Sequence, residues 1–121
     1  MLRRPAIMLL AGLALCLPLA AHSQINPFRS SSRAGLRASD FRAIDEAARR
    51  LAAHPDVRDG TAESWNNPET GASGTITVAS TFRRHGMLCH GVNYTAQTAA
   101  SQTPRSKMVN WCKTSQGWKM I

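Results

Sequence analysis

The stretch from residue 86 to 114, GMLCHGVNYTAQTAASQTPRSKMVNWCKT, decides the fold. Two runs rich in apolar, β-branched and aromatic residues flank Thr95 to Pro104, TAQTAASQTP, which is small and polar and suits the tip of a long hairpin. The cysteines supply a register test. If Cys89 faces Cys112, counting inward from that pair closes the strands between Ala100 and Ser101, inside the polar stretch. A cross-strand disulfide fits a non-hydrogen-bonded pair, whose α-carbons approach within about 4.5 Å. Closing a loop of this size stabilises by roughly 3 kcal/mol in the chain-entropy model.

The same register assigns faces, because side chains alternate along a strand. Leu88, His90, Val92 and Tyr94 share one face with Val109 and Trp111, and a tight turn at residues 114–117 adds Trp118 and Met120. This face is the candidate for burial. Met87, Cys89, Gly91, Asn93, Asn110, Cys112 and Lys119 take the other, which is expected to hold the disulfide and to be more open to water.

Working outward, strands are expected near 61–65, 74–82, 86–95, 106–114 and 117–121, and a helix over about 40–53. Phe41, Ile44, Ala47, Ala48 and Leu51 make one apolar stripe at helical spacing. Ser39 reads as its N-cap, Asp40 suits the dipole in the first turn, and Pro55 keeps His54 extended and ends the helix. The fold class is therefore α+β: one amphipathic helix on a small antiparallel sheet of four to five strands, stapled by one cross-strand disulfide. A domain of about 80 residues has so small a core that a staple makes physical sense.

Ahead of the domain, Arg3 and Arg4 precede an apolar run from Ala6 to Leu19, and Ala21-His22-Ser23 offers small residues for cleavage. Residues 1–23 read as a secretory signal peptide, the run being shorter than the roughly 20 residues of a transmembrane helix. Leu13-Ala14-Leu15 puts bulk where lipoprotein processing at Cys16 wants small side chains. Discarding Cys16 with the signal leaves Cys89 and Cys112 as an even pair in an exported protein, which reads as a disulfide. Residues 24–39, QINPFRSSSRAGLRAS, read as a flexible linker, so the domain spans 40–121.

The 121 residues carry a formal net charge of +8, unevenly placed. Asp40, Asp45, Glu46, Asp56, Asp59, Glu63 and Glu69 all precede residue 70, whereas Arg83, Arg84, Arg105, Lys107, Lys113 and Lys119 follow it with no carboxylate side chain among them. Such a half attracts anionic partners such as lipopolysaccharide phosphates, peptidoglycan carboxylates or nucleic acid. The plainer reading is that these cations solubilise the sheet and guard its edges.

No catalytic constellation emerges. His85, Cys89 and His90 lack the four-ligand spacing of a zinc site once the cysteines pair, so neither metal nor cofactor is expected. The disulfide also removes a cysteine nucleophile. There is no Gly-x-Ser-x-Gly elbow, and the basic sheet offers no facing pair of carboxyls. The stretch ESWNNPETGASGTITV, residues 63–78, is neither a phosphate loop nor a calcium loop. It reads as a turn in which Thr70-Gly71 and Gly74 permit positive φ and Trp65 folds back as an anchor.

Trp65, Asn67, Pro68, Thr70, Gly71 and Gly74, followed by Cys89, Cys112, Gly117 and Trp118, resemble in that order the bacterial outer-membrane surface antigen domain, the seventeen-kilodalton surface antigen type. The resemblance covers about residues 61–121. It implies a small exported envelope protein without enzymatic activity, in the periplasm or associated with the outer membrane. Two features of many relatives are missing here: a lipoprotein cysteine and a glycine-rich membrane-associating segment. His90 also stands where an arginine commonly follows the first cysteine. The reading is a non-enzymatic structural or interaction module for an anionic envelope component or another envelope protein, with no transmembrane span after signal cleavage and no nucleic-acid partner. The alternative is a secreted inhibitor or accessory subunit of an envelope enzyme, inserting the loop 66–73 or the hairpin tip.

Overall fold

The computed structural model describes residues 26–28 and 35–121, with only the backbone of Gln102. The predicted signal peptide and most of the predicted linker lie outside these residues. The chain runs α1 (Ala38–Ala52), β1 (Ala62–Asn67), β2 (Ala72–Arg84), β3 (Met87–Thr98), β4 (Ser101–Thr114) and β5 (Gly117–Met120). The strands form one curled antiparallel sheet in sequential order, each paired with the next, and α1 packs on one face.

Ile44, Ala47, Ala48 and Leu51 are buried, as the stripe requires, and Phe41 is half-buried beside them. The helix begins two residues earlier than its cap signal suggested. Arg37 is the N-cap and Ser39 is helical, because Asp40, three residues on from the cap, accepts the Arg37 backbone N–H at 2.8 Å. That is the reciprocal bond of a capping box, and it outcompetes Ser39.

Cys89 pairs with Cys112 across β3 and β4, with α-carbons 4.1 Å apart and a formed disulfide. His90 faces Trp111 and Val92 faces Val109, so the register holds through the apolar part of the hairpin. Toward the tip it shifts: Ala96 faces Arg105 but Thr98 faces Ser101. β4 thus carries two extra residues around Pro104, which has no N–H to give the ladder, and the turn closes at Ala99-Ala100. The polar stretch is mostly strand, extended far enough to bury Ala96 at 4 % exposure.

The inner face behaves as expected. Trp111, Tyr94, Val92 and His90 are buried under the helix with Ile76 and Val78 from β2. The indole N–H of Trp111 donates to the Tyr94 hydroxyl at 3.1 Å. Burial pushes the Tyr94 phenol well above its ordinary range, against the smaller opposing effect of that bond. The outer face does expose Met108 and Ile121, but the disulfide on it is fully buried. It sits in the cross-strand row Phe82, Cys89, Cys112, Lys119, whose outer members are long enough to cover two small sulfurs.

The expected linker also contributes to the core. Asn26 and Phe28 are each 3 % exposed, Phe28 packs edge-on against Tyr94, and Pro27 accepts a bond from Lys107 Nζ at 3.3 Å. One aromatic among serines and arginines shows no periodicity, so its burial left no pattern to read.

Candidate functional site

The signature residues are divided between the two ends of the sheet, and at the β1–β2 end they are held by a buried carboxylate. Asp40 is 1 % exposed. Its Oδ1 accepts from Asn67 Nδ2 at 2.7 Å and from Thr70 Oγ1 at 2.5 Å, while Oδ2 takes the Arg37 N–H. Burial pushes this carboxyl up, but the bonds from Arg37, Thr70 and Asn67 outweigh it and hold it below the usual carboxylate range. Asn67 also accepts the Glu69 N–H, Thr70 accepts the Ala72 N–H, and Gly71 completes the turn at φ 73°. Pro68 is exposed on this turn. The loop is therefore tied to the helix N-terminus by hydrogen bonds, which the sequence reading assigned to Trp65.

Trp65 does something else. It is 4 % exposed and crosses β2 at Gly74, donating its indole N–H to Thr95 O at 3.3 Å. Gly74 does not have positive φ. A Cβ there would lie 1.9 Å from Thr95 O and 2.6 Å from Trp65 Nε1, so the position needs glycine for close approach.

The six basic residues do not form one patch. Cross-strand partners share a face, so Arg83, Arg105, Lys107 and Lys113 lie on the helix side, and Arg84 and Lys119 on the outer side. Lys119 reaches Gln116 and Lys107 reaches Pro27 O, whereas Lys113 is exposed with Nζ 5.9 Å from the Trp118 ring.

At the other end, Gly117 at φ 100° closes the β4–β5 turn and sets Trp118 against the His90 ring, centroids 4.9 Å apart. His90 is 2 % exposed, and its Nδ1 lies 2.9 Å from Thr81 Oγ1, which donates to Asp59 Oδ1 at 2.7 Å. A hydroxyl has one proton. Since Thr81 gives it to the carboxylate, it accepts from His90, so Nδ1 carries a proton. Nε2 is buried and has no hydrogen-bond partner among the described residues. A bulge made the relay possible: β2 slips one residue between Val78 and Ser80, which brings Thr81 opposite His90. Beside this ring opens a cleft of about 220 Å³ between segment 54–57 and Leu88, His90, Lys113 and Trp118.

No family model matches this chain, and no curated protein or solved structure is significantly similar to it. Among the described residues no group of three or more histidine, cysteine or acidic side chains is placed to hold a metal ion, and no helix is long and apolar enough to cross a membrane.

The rim of the cleft is polar and internally paired. Glu63 accepts from His54 at 2.8 Å and from Arg50 at 3.3 Å, bonds that hold its carboxyl below the usual range, and Arg58 pairs with Asp56. Lys113 has no ion-pair partner among the described residues. The Asp59–Thr81–His90 chain had no signal in the sequence, since strict alternation would have placed Ser80 opposite His90.

Proposed function

We propose that this chain is a non-enzymatic, exported envelope protein that serves as an interaction module for an anionic envelope component. The observation that carries the reading is the charge division. Every side-chain carboxylate precedes residue 70, and the strands beyond it present Arg83, Arg105, Lys107 and Lys113 on the helix side of the sheet and Arg84 and Lys119 on the outer side. A field of this kind raises the local concentration of polyanions. The leader-like first 23 residues and the resemblance to the surface antigen domain support an envelope location, periplasmic or outer-membrane associated. Cosedimentation with peptidoglycan sacculi and with lipopolysaccharide tests the binding, which should weaken as salt shortens the screening length from about 8 Å at physiological strength to 3 Å at 1 M. Intact mass with and without reductant tests the export, reporting leader removal and the disulfide together.

A second reading is a secreted inhibitor or accessory subunit of an envelope enzyme. It is favoured by the way the β1–β2 turn and the β3–β4 tip converge with the N-terminus of α1 around a cleft of about 340 Å³. A stoichiometric protein partner recovered from periplasm would select it over the first.

A further inference from the structure

The two edges of the sheet are treated differently. At the β1 edge, Arg50 of α1 donates to the Ser64 carbonyl at 3.1 Å, tying strand to helix. The β4 edge is covered over only part of its length. β5 pairs with residues 111–114, and the Ile121 N–H then bonds Asn110 O at 2.9 Å. In an antiparallel ladder, alternate residues turn their N–H and C=O groups to the same side. Asn110 bonds outward, so Met108 and Ser106 also face outward, while Val109 and Lys107 bond inward to β3. The register with β3 is unbroken from Arg105 to Cys112, so this edge is regular strand. No described residue meets the outward backbone groups of Ser106 and Met108. Arg105, Ser106, Lys107 and Met108 are all exposed, Met108 at 60 %.

An exposed, regular edge is a template for one more strand, and its side chains decide which strand it accepts. A second copy fits badly. A two-fold axis at Ser106 sets Arg105 against Lys107 of the copy, an axis at Lys107 sets lysine against lysine, and an axis at Met108 needs the Asn110 carbonyl that Ile121 already holds. Like charges directly opposite each other destabilise a pair. A strand with carboxylates at those positions turns the same cations into attraction, and the described partner of Lys107 is only the neutral Pro27 carbonyl. On the other face, the exposed Met108 thioether suits an apolar side chain. Pro104, with no N–H to offer, bounds the site at its far end. We infer that the β4 edge from Arg105 to Asn110 takes an extended segment of a partner protein as a sixth, antiparallel strand in line with β5. Its side chains alternate between carboxylates opposite Arg105 and Lys107 and an apolar residue opposite Met108. The N–H and C=O groups of Ser106 and Met108 hold the segment, and the charges select it. The anionic-polymer reading uses the charge of this strand, whereas strand addition uses its backbone, so the two stand or fall separately.

The test titrates the ¹⁵N-labelled mature chain with capped hexapeptides and follows backbone amide shifts and hydrogen exchange. TVETET sets valine opposite Met108 and glutamates opposite Lys107 and Arg105. TVKTKT reverses the charges, and TVEPET puts proline opposite Ser106, where the added strand must donate. Saturable shifts and slowed exchange at the Ser106 and Met108 N–H groups with TVETET support the site. TVKTKT should bind about tenfold more weakly through its two reversed pairs, and TVEPET should give no response. K107E should bring the two charged peptides to within about twofold of each other, a change of preference that misfolding does not produce. M108P removes an N–H that β3 does not use, and should abolish binding while the other amide signals show the sheet intact. No response to TVETET overturns the inference, as does binding retained by folded M108P or an equal response to TVKTKT. An equal response to TVEPET also overturns it, since that is charge attraction without a strand. Protection of the same amides on raising protein concentration without peptide gives the edge to a second copy and overturns it too. Salt-sensitive pelleting with sacculi and no peptide response refutes strand addition and leaves the proposed function standing. A peptide response without pelleting does the reverse.

Discussion

Replacing Asp40 by alanine should be the most damaging single polar change in the domain. Its carboxylate accepts three hydrogen bonds at 1 % exposure, from the Arg37 N–H, Asn67 and Thr70, and through them joins the helix start to the β1–β2 turn. Alanine strands these donors. Each buried orphan costs about 1–3 kcal/mol, but Arg37 is exposed and Thr70 half-buried, so water rescues part of two of them. The Nδ2 of Asn67, a residue 7 % exposed, retains only Ser39 Oγ at 2.8 Å. The sum is about 3 kcal/mol, a large part of the stability of a small domain. Urea denaturation read by circular dichroism measures it. Because the folded-state pKa of Asp40 lies below its ordinary value, its contribution is present above the unfolded pKa, near 4, and is lost as pH falls through the folded one. D40N should therefore flatten the acid limb of stability against pH as well as lower the plateau. A loss under about 1 kcal/mol for D40A, or an acid limb unchanged in D40N, would refute the hub.

Gly74→Ala should cost about 3 kcal/mol or more, since its Cβ would meet Thr95 O at 1.9 Å, and should red-shift the emission of Trp65. Gly86→Ala, at φ 76° with open space around it, should cost only about 1–2 kcal/mol, and equal losses in the two melts would contradict the close-approach argument. The double change C89A/C112A should lose at least about 3 kcal/mol, because it removes both the loop constraint and fully buried sulfurs, and reduction of the unmodified protein should shift the urea midpoint in the same direction. Thr81→Val should free His90 Nδ1, and ¹⁵N chemical shifts should then report a mixed tautomer, whereas an unchanged Nδ1–H form would show that Thr81 does not set it.

The apolar half of the hairpin was legible because two independent signals coincide there, the cysteine spacing and the alternation of Leu88, His90, Val92 and Tyr94. The helix stripe was legible for the same kind of reason, with Ile44, Ala47, Ala48 and Leu51 on one face. What escaped depends on departures from period. The slip between Val78 and Ser80 carries Thr81 to the inner face, and no residue type there announces it. Gly91 accommodates it, since a Cβ there would sit 2.4 Å from Ser80 Oγ, a constraint visible only once the strands are paired. Asp40 read as a dipole partner because its bonds run to residues 27 and 30 positions away. Trp65 and Gly74 were each noticed in sequence, but as an anchor and a positive-φ position of one turn rather than as cross-strand partners. The signature stretch looks like a loop motif, and its glycine serves a strand.

The central claim is that the basic sheet recruits an anionic envelope polymer. Its most direct test is cosedimentation of the mature protein with purified sacculi and with lipopolysaccharide across a salt series. Pelleting at low ionic strength that falls away toward about 1 M salt is the predicted result. Protein left in the supernatant with both at low salt, or pelleting indifferent to salt, would contradict the account.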